Sequence, residues 1–210
     1  MNTRRDLVAG LGAAALGWIA VRAAAAEPEG TRRGGARATT VPNVTLYTHE
    51  GKEVKFYDDL IHSKVVAINM MYAECEGICP IATSNLVRVQ ELLGEHVGRD
   101  LFMYSLTLQP ELDTPQRLKE YAEMHGVKPG WLFLTGARAD IQQVRYCLGF
   151  FDLNPVVDGD KATHTGMVRI GNDVYGRWTM SPALTSPEQI VATIKHVDRP
   201  GTRPIVSQQG

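Results

Sequence analysis

Apolar positions along the chain follow two rhythms. Continuous apolar runs at 65–72, 101–106 and 131–134 are short and bounded by polar or turn residues. Runs of that length predict buried strands. Between and after them, apolar residues recur at helical spacing over 80–93, 113–125 and 140–149. Pro80 near a first turn and Gly94 near an end mark the first of these helices. Asp113-Thr114-Pro115 opens the second with an Asp or Thr cap, and Gly126 and Pro129-Gly130 stop it. Two hairpins frame this core. One pairs 44–47 with 54–57 around His49-Glu50-Gly51-Lys52, the other 166–170 with 174–178 around Gly171-Asn172-Asp173. Residues 150–162 carry no regular period. Ser186-Pro187-Glu188 starts a last helix that ends near His196.

The order is therefore hairpin, βαβαβα, hairpin, α. Helical crossovers between strands require a parallel core, and the terminal hairpin adds antiparallel strands. The expected architecture is α/β: a thioredoxin-like mixed sheet with helices on both faces, plus an N-terminal hairpin. It is assigned to residues 41–197.

The chain ends read differently. Arg4-Arg5, an apolar run over 7–21 and Ala23-Ala24-Ala25-Ala26 form a basic, apolar and small-residue series, an export signal over 1–26. Thr3-Arg4-Arg5-Asp6-Leu7 resembles a twin-arginine signal, which implies the twin-arginine export machinery as a partner and a periplasmic destination. The run is short and rich in Gly and Ala, so no stable membrane span is expected after cleavage near Ala26. Without cleavage it would serve as an N-terminal anchor. Residues 27–40 read as a flexible linker and 198–210 as a disordered tail. Over 210 residues the formal net charge is −1, which argues against nucleic acid as a partner. No Gly-rich phosphate loop or Ser-His-Asp arrangement is present.

Chemistry concentrates in Cys75-Glu76-Gly77-Ile78-Cys79-Pro80, between the first core strand and its helix. Pro80 places Cys79 at the N-cap or first helical position, where orphan amides and the helix dipole favour a thiolate. Glu74 and Glu76 oppose that ionisation, so no strongly depressed thiol is expected. Folded over the helix start, Cys75 and Cys79 can join as a disulfide or share one soft cation. In an exported protein the disulfide is a stable alternative. Two thiolates suit Cu(I), and other metals need a further ligand, for which histidine is the natural candidate. His49, His62, His96, His125 and His196 sit in turns or near helix ends. His164 stands directly before an apolar strand that a thioredoxin-like sheet brings toward the cysteine loop. Met71 is a candidate soft ligand and otherwise core. Cys147 reads as a small apolar residue on the face formed with Ile141, Val144 and Leu148.

These motifs resemble the Sco/SenC family of exported thioredoxin-fold copper proteins. The matching pieces are CxxxCP at Cys75–Pro80, Gln109-Pro110-Glu111-Leu112-Asp113-Thr114-Pro115, Trp131-Leu132-Phe133-Leu134-Thr135-Gly136, and His164 before the last hairpin. The resemblance implies copper, as Cu(I) or Cu(II), held by Cys75, Cys79 and His164. It implies delivery to a copper-accepting client such as the CuA centre of cytochrome c oxidase, a metallochaperone rather than an enzyme. The alternatives are a thiol–disulfide oxidoreductase using Cys75 and Cys79 on client cysteines, or a copper-linked redox sensor. Gln109, Thr163 and Ala73-Glu74 depart from the family pattern and alter the charge around the ligands.

Overall fold

The computed structural model describes residues 41–164 and 166–200. The expected signal, the linker and the tail beyond residue 200 lie outside the described residues. Seven strands, β1 (Thr45–Thr48), β2 (Glu53–Lys55), β3 (Val65–Met71), β4 (Leu101–Thr107), β5 (Trp131–Gly136), β6 (Met167–Asn172) and β7 (Arg177–Pro182), form one sheet. Their spatial order is β2-β1-β5-β4-β3-β6-β7. The β3–β4 and β4–β5 pairs are parallel, and β1, β2, β6 and β7 pair antiparallel. The α-helices among the described residues are α1 (Ile78–Leu93), α2 (Pro115–Met124), α3 (Arg138–Leu148), α4 (Pro155–Gly159) and α5 (Pro187–Asp198). This is the mixed, thioredoxin-like sheet that the order of elements predicts.

β3 shows why the sheet needs helices on both faces. Every one of its residues is buried. Val65, Ala67 and Met71 enter a core with α1, α2 and α5, whereas Val66, Ile68 and Met70 enter a second core with α3. Strand periodicity of two sends neighbours to opposite cores, so Met70 and Met71 are both core residues. Burying a Val, Ile or Met side chain in this way contributes about 1.5–3 kcal/mol. The first core also buries a polar chain: the Trp131 indole donates to Ser105 Oγ at 2.9 Å, and Ser105 donates to Asn69 Oδ1 at 2.7 Å. Satisfying these groups internally avoids the penalty of burying them alone.

Four elements differ from expectation. The second strand of the first hairpin, expected over 54–57, is Glu53–Lys55, and a π-helical turn, Phe56–Ile61, follows it and buries Phe56, Leu60 and Ile61. The last hairpin turns at Asp173–Gly176 rather than at Gly171-Asn172-Asp173, with Asn172 paired to Arg177. Gly176 supplies the positive φ of 61°. Gly171 instead lies inside β6 under the Trp178 ring, where an added Cβ would sit 2.2 Å from a ring carbon. Residues 150–162 are not wholly irregular. The Asn154 side chain accepts from the Val156 amide and Pro155 follows it, starting the short α4. Finally, α1 starts at Ile78 with Gly77 as its cap, so Cys79 lies inside the first turn. Pro80 is tolerated there because first-turn amides have no intrahelical partner.

Candidate metal centre

The loop at 72–77 leaves the C-terminal end of β3, at the carboxyl edge of the parallel strands where α/β sheets place their sites. Its shape is held from outside. Asp113, fully buried, accepts the Ala73 amide at 3.2 Å and the Thr107 hydroxyl. Thr114, not Asp113, caps α2 by accepting the Arg117 amide at 3.3 Å. Asp113 is thus a strut between β4 and the cysteine loop. Burial pushes its carboxyl up, against the lowering effect of the Thr107 and Ala73 hydrogen bonds and of Arg117. Glu74 turns outward to Arg117 at 2.8 Å.

Within this loop the two thiols come together. Cys75 is 6% and Cys79 1% exposed, and all three cysteines of the chain are thiols here. The Cys79 amide donates to Cys75 Sγ at 3.5 Å, and the Cys75 amide donates to the Tyr72 carbonyl at 3.2 Å. Sequence reasoning assigned helix-start stabilisation to Cys79. In the structure the Cys75 sulfur takes amides of the α1 start. Burial opposes ionisation of Cys75, but hydrogen bonds from Cys79, Tyr72 and the Gly77 amide outweigh it and hold the thiol below its ordinary value. The Tyr72 hydroxyl is correspondingly pushed up to about 12, first by its hydrogen bond to Cys75 and then by burial.

His164 is buried in a single 3-10 turn, Lys161–His164. The structure does not bring its ring onto the two sulfurs. Nε2 lies 3.0 Å from Arg145 Nη1 and 2.8 Å from the Asp158 carbonyl. Arg145, on α3, makes a forked pair with Asp158, Nη1 to Oδ1 and Nη2 to Oδ2, both 2.8 Å. Asp158 also accepts the Tyr146 hydroxyl at 2.8 Å and the Asp152 amide at 2.9 Å. These hydrogen bonds, Arg145 above all, hold its carboxyl well below the usual carboxylate range. Among the described residues no group of three or more His, Cys, Asp or Glu is arranged to hold a metal. The turn nevertheless touches the cysteine loop. Lys161 lies over the Tyr72 ring at 5.4 Å.

Cys147 is half-buried, and burial pushes its thiol up. Of the other histidines, His49 accepts the Phe133 amide at 3.1 Å, His62 stacks on Tyr57, His96 pairs with Asp100, and His125 packs on Tyr121. Gln109 is buried beside the strut, and its Oε1 has no hydrogen-bond partner. Sequence reasoning missed Tyr72, Arg145 and Asp158. Tyr72 had a usable signal, an aromatic hydroxyl three residues before Cys75. A buried Arg on a helix face otherwise built of Ile141, Val144 and Leu148 was the other.

As a donor set, two adjacent buried thiols with a supported thiolate are soft and closely spaced. That matches Cu(I) better than a hard cation. No helix among the described residues is long and apolar enough to cross a membrane.

Comparison with known proteins gives a consistent picture. The SCO1/SenC family model matches residues 33–198. The chain is 28% identical over 102 residues to the SCO1 protein homolog of Bacillus subtilis (strain 168), covering 47% of this chain and 51% of that protein. It thus spans about half the length of the curated relatives it matches. Among solved structures, Bradyrhizobium japonicum ScoI, crystallised with copper bound, superposes with a TM-score of 0.56 at 24% identity, over 73% of this chain and 96% of that one. BsSco superposes with a TM-score of 0.60 at 22% identity, over 75% and 92%. It is described as carrying a disulfide switch and as a member of the Sco family of cytochrome c oxidase assembly proteins.

Proposed function

The chain belongs to the SCO1/SenC family, and on that premise we propose that it is a periplasmic copper metallochaperone whose cargo is held by Cys75 and Cys79. The observation that carries this reading is the pair of thiols closed over the start of α1, with the Cys79 amide on Cys75 Sγ at 3.5 Å. A Cu(I) ion between two thiolates needs no further ligand. His164 is the third ligand for Cu(II), reached once its ring leaves Arg145 and Asp158. Delivery is ligand exchange: client thiolates replace Cys75 and Cys79 one at a time, and the protons shed by the client thiols return to the departing cysteines. The CuA centre of cytochrome c oxidase is the client that best fits, since relatives of the same fold are described as assembly proteins of that oxidase. The export signal at 1–26 puts donor and client in one compartment.

A second reading is favoured by the lowered Cys75 thiol. An ionised thiol attacks disulfides, so Cys75 would reduce client cysteines through a mixed disulfide that Cys79 resolves. Two assays on one preparation separate the readings. The Cu(I)-loaded protein is mixed with a metal-free CuA domain, and the copper-free, reduced protein is given insulin. Copper transfer with negligible insulin reduction supports the chaperone. Rapid insulin reduction without copper transfer establishes the reductase instead.

A further inference from the structure

Helix α1 carries two stripes. Its buried face runs through Cys79, Ala82, Leu86, Val89 and Leu93. A second stripe, Ile81, Asn85, Arg88 and Leu92, has the same helical spacing. It meets the loop between β7 and the start of α5. Ile81 is 60% and Leu92 54% exposed, and Leu184, on that loop, is 50% exposed. The loop is fixed in place. The Asn85 side-chain amide donates to the carbonyls on either side of Leu184, Ala183 at 2.8 Å and Thr185 at 2.7 Å. The Ala183 amide donates to the Gly166 carbonyl at 2.9 Å. An aliphatic side chain is thus held outward by hydrogen bonds on both of its neighbours.

Two adjoining hollows result. Pro80, Ile81, Ser84, Asn85 and Leu184 line one of about 470 Å³. Glu91, Leu92, Pro187 and Glu188 line another of about 630 Å³, and Arg88 lines both. Together they form a groove along α1 that begins directly after Cys79. With a helical rise of 1.5 Å per residue, Arg88 lies about 14 Å and Leu92 about 20 Å from Cys79 along the axis. Arg88 is exposed and has no ion-pair partner among the described residues.

We propose that this groove is the docking site of the copper-accepting client, which enters it with an aliphatic side chain between Ile81 and Leu184 and a carboxylate on Arg88. The proposal rests on the reading that Cys75 and Cys79 hold copper for transfer. That chemistry decides what covers the groove. Both cysteines are buried, so client thiolates reach them only in a contact complex seated over the start of α1, where the groove opens. The character of the groove then selects the segment. A client chain running away from the cysteines meets apolar walls, then an unpaired cation, then Glu91 and Glu188. Complementarity asks for an aliphatic residue, a carboxylate and a cation in that order. A groove that seats a few side chains suits a transient complex, as a hand-over ending in release requires.

The test follows Cu(I) passing from the loaded protein to a purified, metal-free CuA domain by stopped flow, with chelator titration giving Cu(I) affinity. It compares wild type, Arg88→Glu, Ile81→Ser combined with Leu184→Ser, and Met124→Ser, an exposed methionine at the far end of α2. Well below saturation, the double variant should transfer about tenfold and Arg88→Glu about fivefold more slowly than wild type. Arg88→Glu should also lose most of the salt dependence of the rate. Met124→Ser should match wild type, and Cu(I) affinity should be unchanged throughout. At saturating client the groove variants should recover the wild-type rate, because docking and not ligand exchange is impaired. p-Benzoylphenylalanine placed at position 184 should crosslink to the CuA domain on irradiation, and at position 124 it should not. Wild-type transfer by either groove variant, a deficit that persists at saturation, or equal crosslinking from position 124 overturns the docking site while leaving wild-type transfer, and so the chaperone reading, intact. A wild type that binds no Cu(I), or binds it and delivers none to the CuA domain, overturns that reading and the docking site with it.

Discussion

Replacing Asp113 by Ala removes the strut under the cysteine loop. Asp113 is fully buried and accepts from the Ala73 amide and the Thr107 hydroxyl. The Thr107 oxygen in turn accepts the Gln109 amide at 2.8 Å, so the hydroxyl cannot simply rotate away. Two donors lose their acceptor, each at about 1–3 kcal/mol. Relief of a buried carboxyl that burial has pushed up offsets part of this. The expected net loss is roughly 2–4 kcal/mol, a fall in Tm of about 5–15 °C for a domain of this size. Asp113→Asn keeps an acceptor oxygen and should stay within about 1 kcal/mol of wild type. Urea unfolding at neutral pH gives both values. The pH dependence has a definite sign. A carboxyl raised in the folded state favours folding when protonated, so its contribution falls as pH rises from the unfolded Asp value, about 3.9, through the raised folded value. The Asn variant lacks this decline and should gain on wild type across that window. An Ala variant within about 0.5 kcal/mol of wild type, or an Asn variant as damaged as Ala, would refute the strut.

Tyr72→Phe should raise the Cys75 thiol toward its ordinary value in the metal-free protein, because one hydrogen bond to the thiolate is lost; thiolate absorbance against pH reads this, and an unmoved titration contradicts it. Gly171→Ala should destabilise by about 1–3 kcal/mol and change tryptophan emission, since its Cβ would collide with the Trp178 ring; denaturation curves matching wild type would show that the ring moves aside freely. Cys147→Ala should leave copper stoichiometry unchanged, because Cys147 lies on α3 outside the Cys75–Cys79 loop; a lost equivalent of bound copper would assign it a role in the site.

Much of this architecture was legible because patterning controlled it. The buried runs of β3, β4 and β5 and the capped helices announce themselves through apolar spacing and Pro or Gly at the ends. Gly171 misled the hairpin assignment because its small size serves the Trp178 ring rather than the turn, a tertiary cause that local sequence does not carry. The cysteine pair was legible from spacing, and the motifs around Asp113 and Trp131 pointed to the family. The role of Asp113 was not, since capping chemistry and a loop strut use the same Asp-Thr-Pro. The position of the His164 ring was the least legible feature. It depends on Arg145 and Asp158: the apolar neighbours of Arg145 on its helix face do not name its partner, Asp158 reads as an ordinary surface charge, and only the fold brings them together.

The central claim is that Cys75 and Cys79 jointly hold one copper ion. Its most direct test is Cu(I) titration against a chromophoric chelator with wild type, Cys75→Ser, Cys79→Ser and His164→Ala. The account predicts one tightly bound Cu(I) in wild type and in His164→Ala, and its loss in both serine variants. Serine variants that retain the ion with wild-type affinity would contradict it.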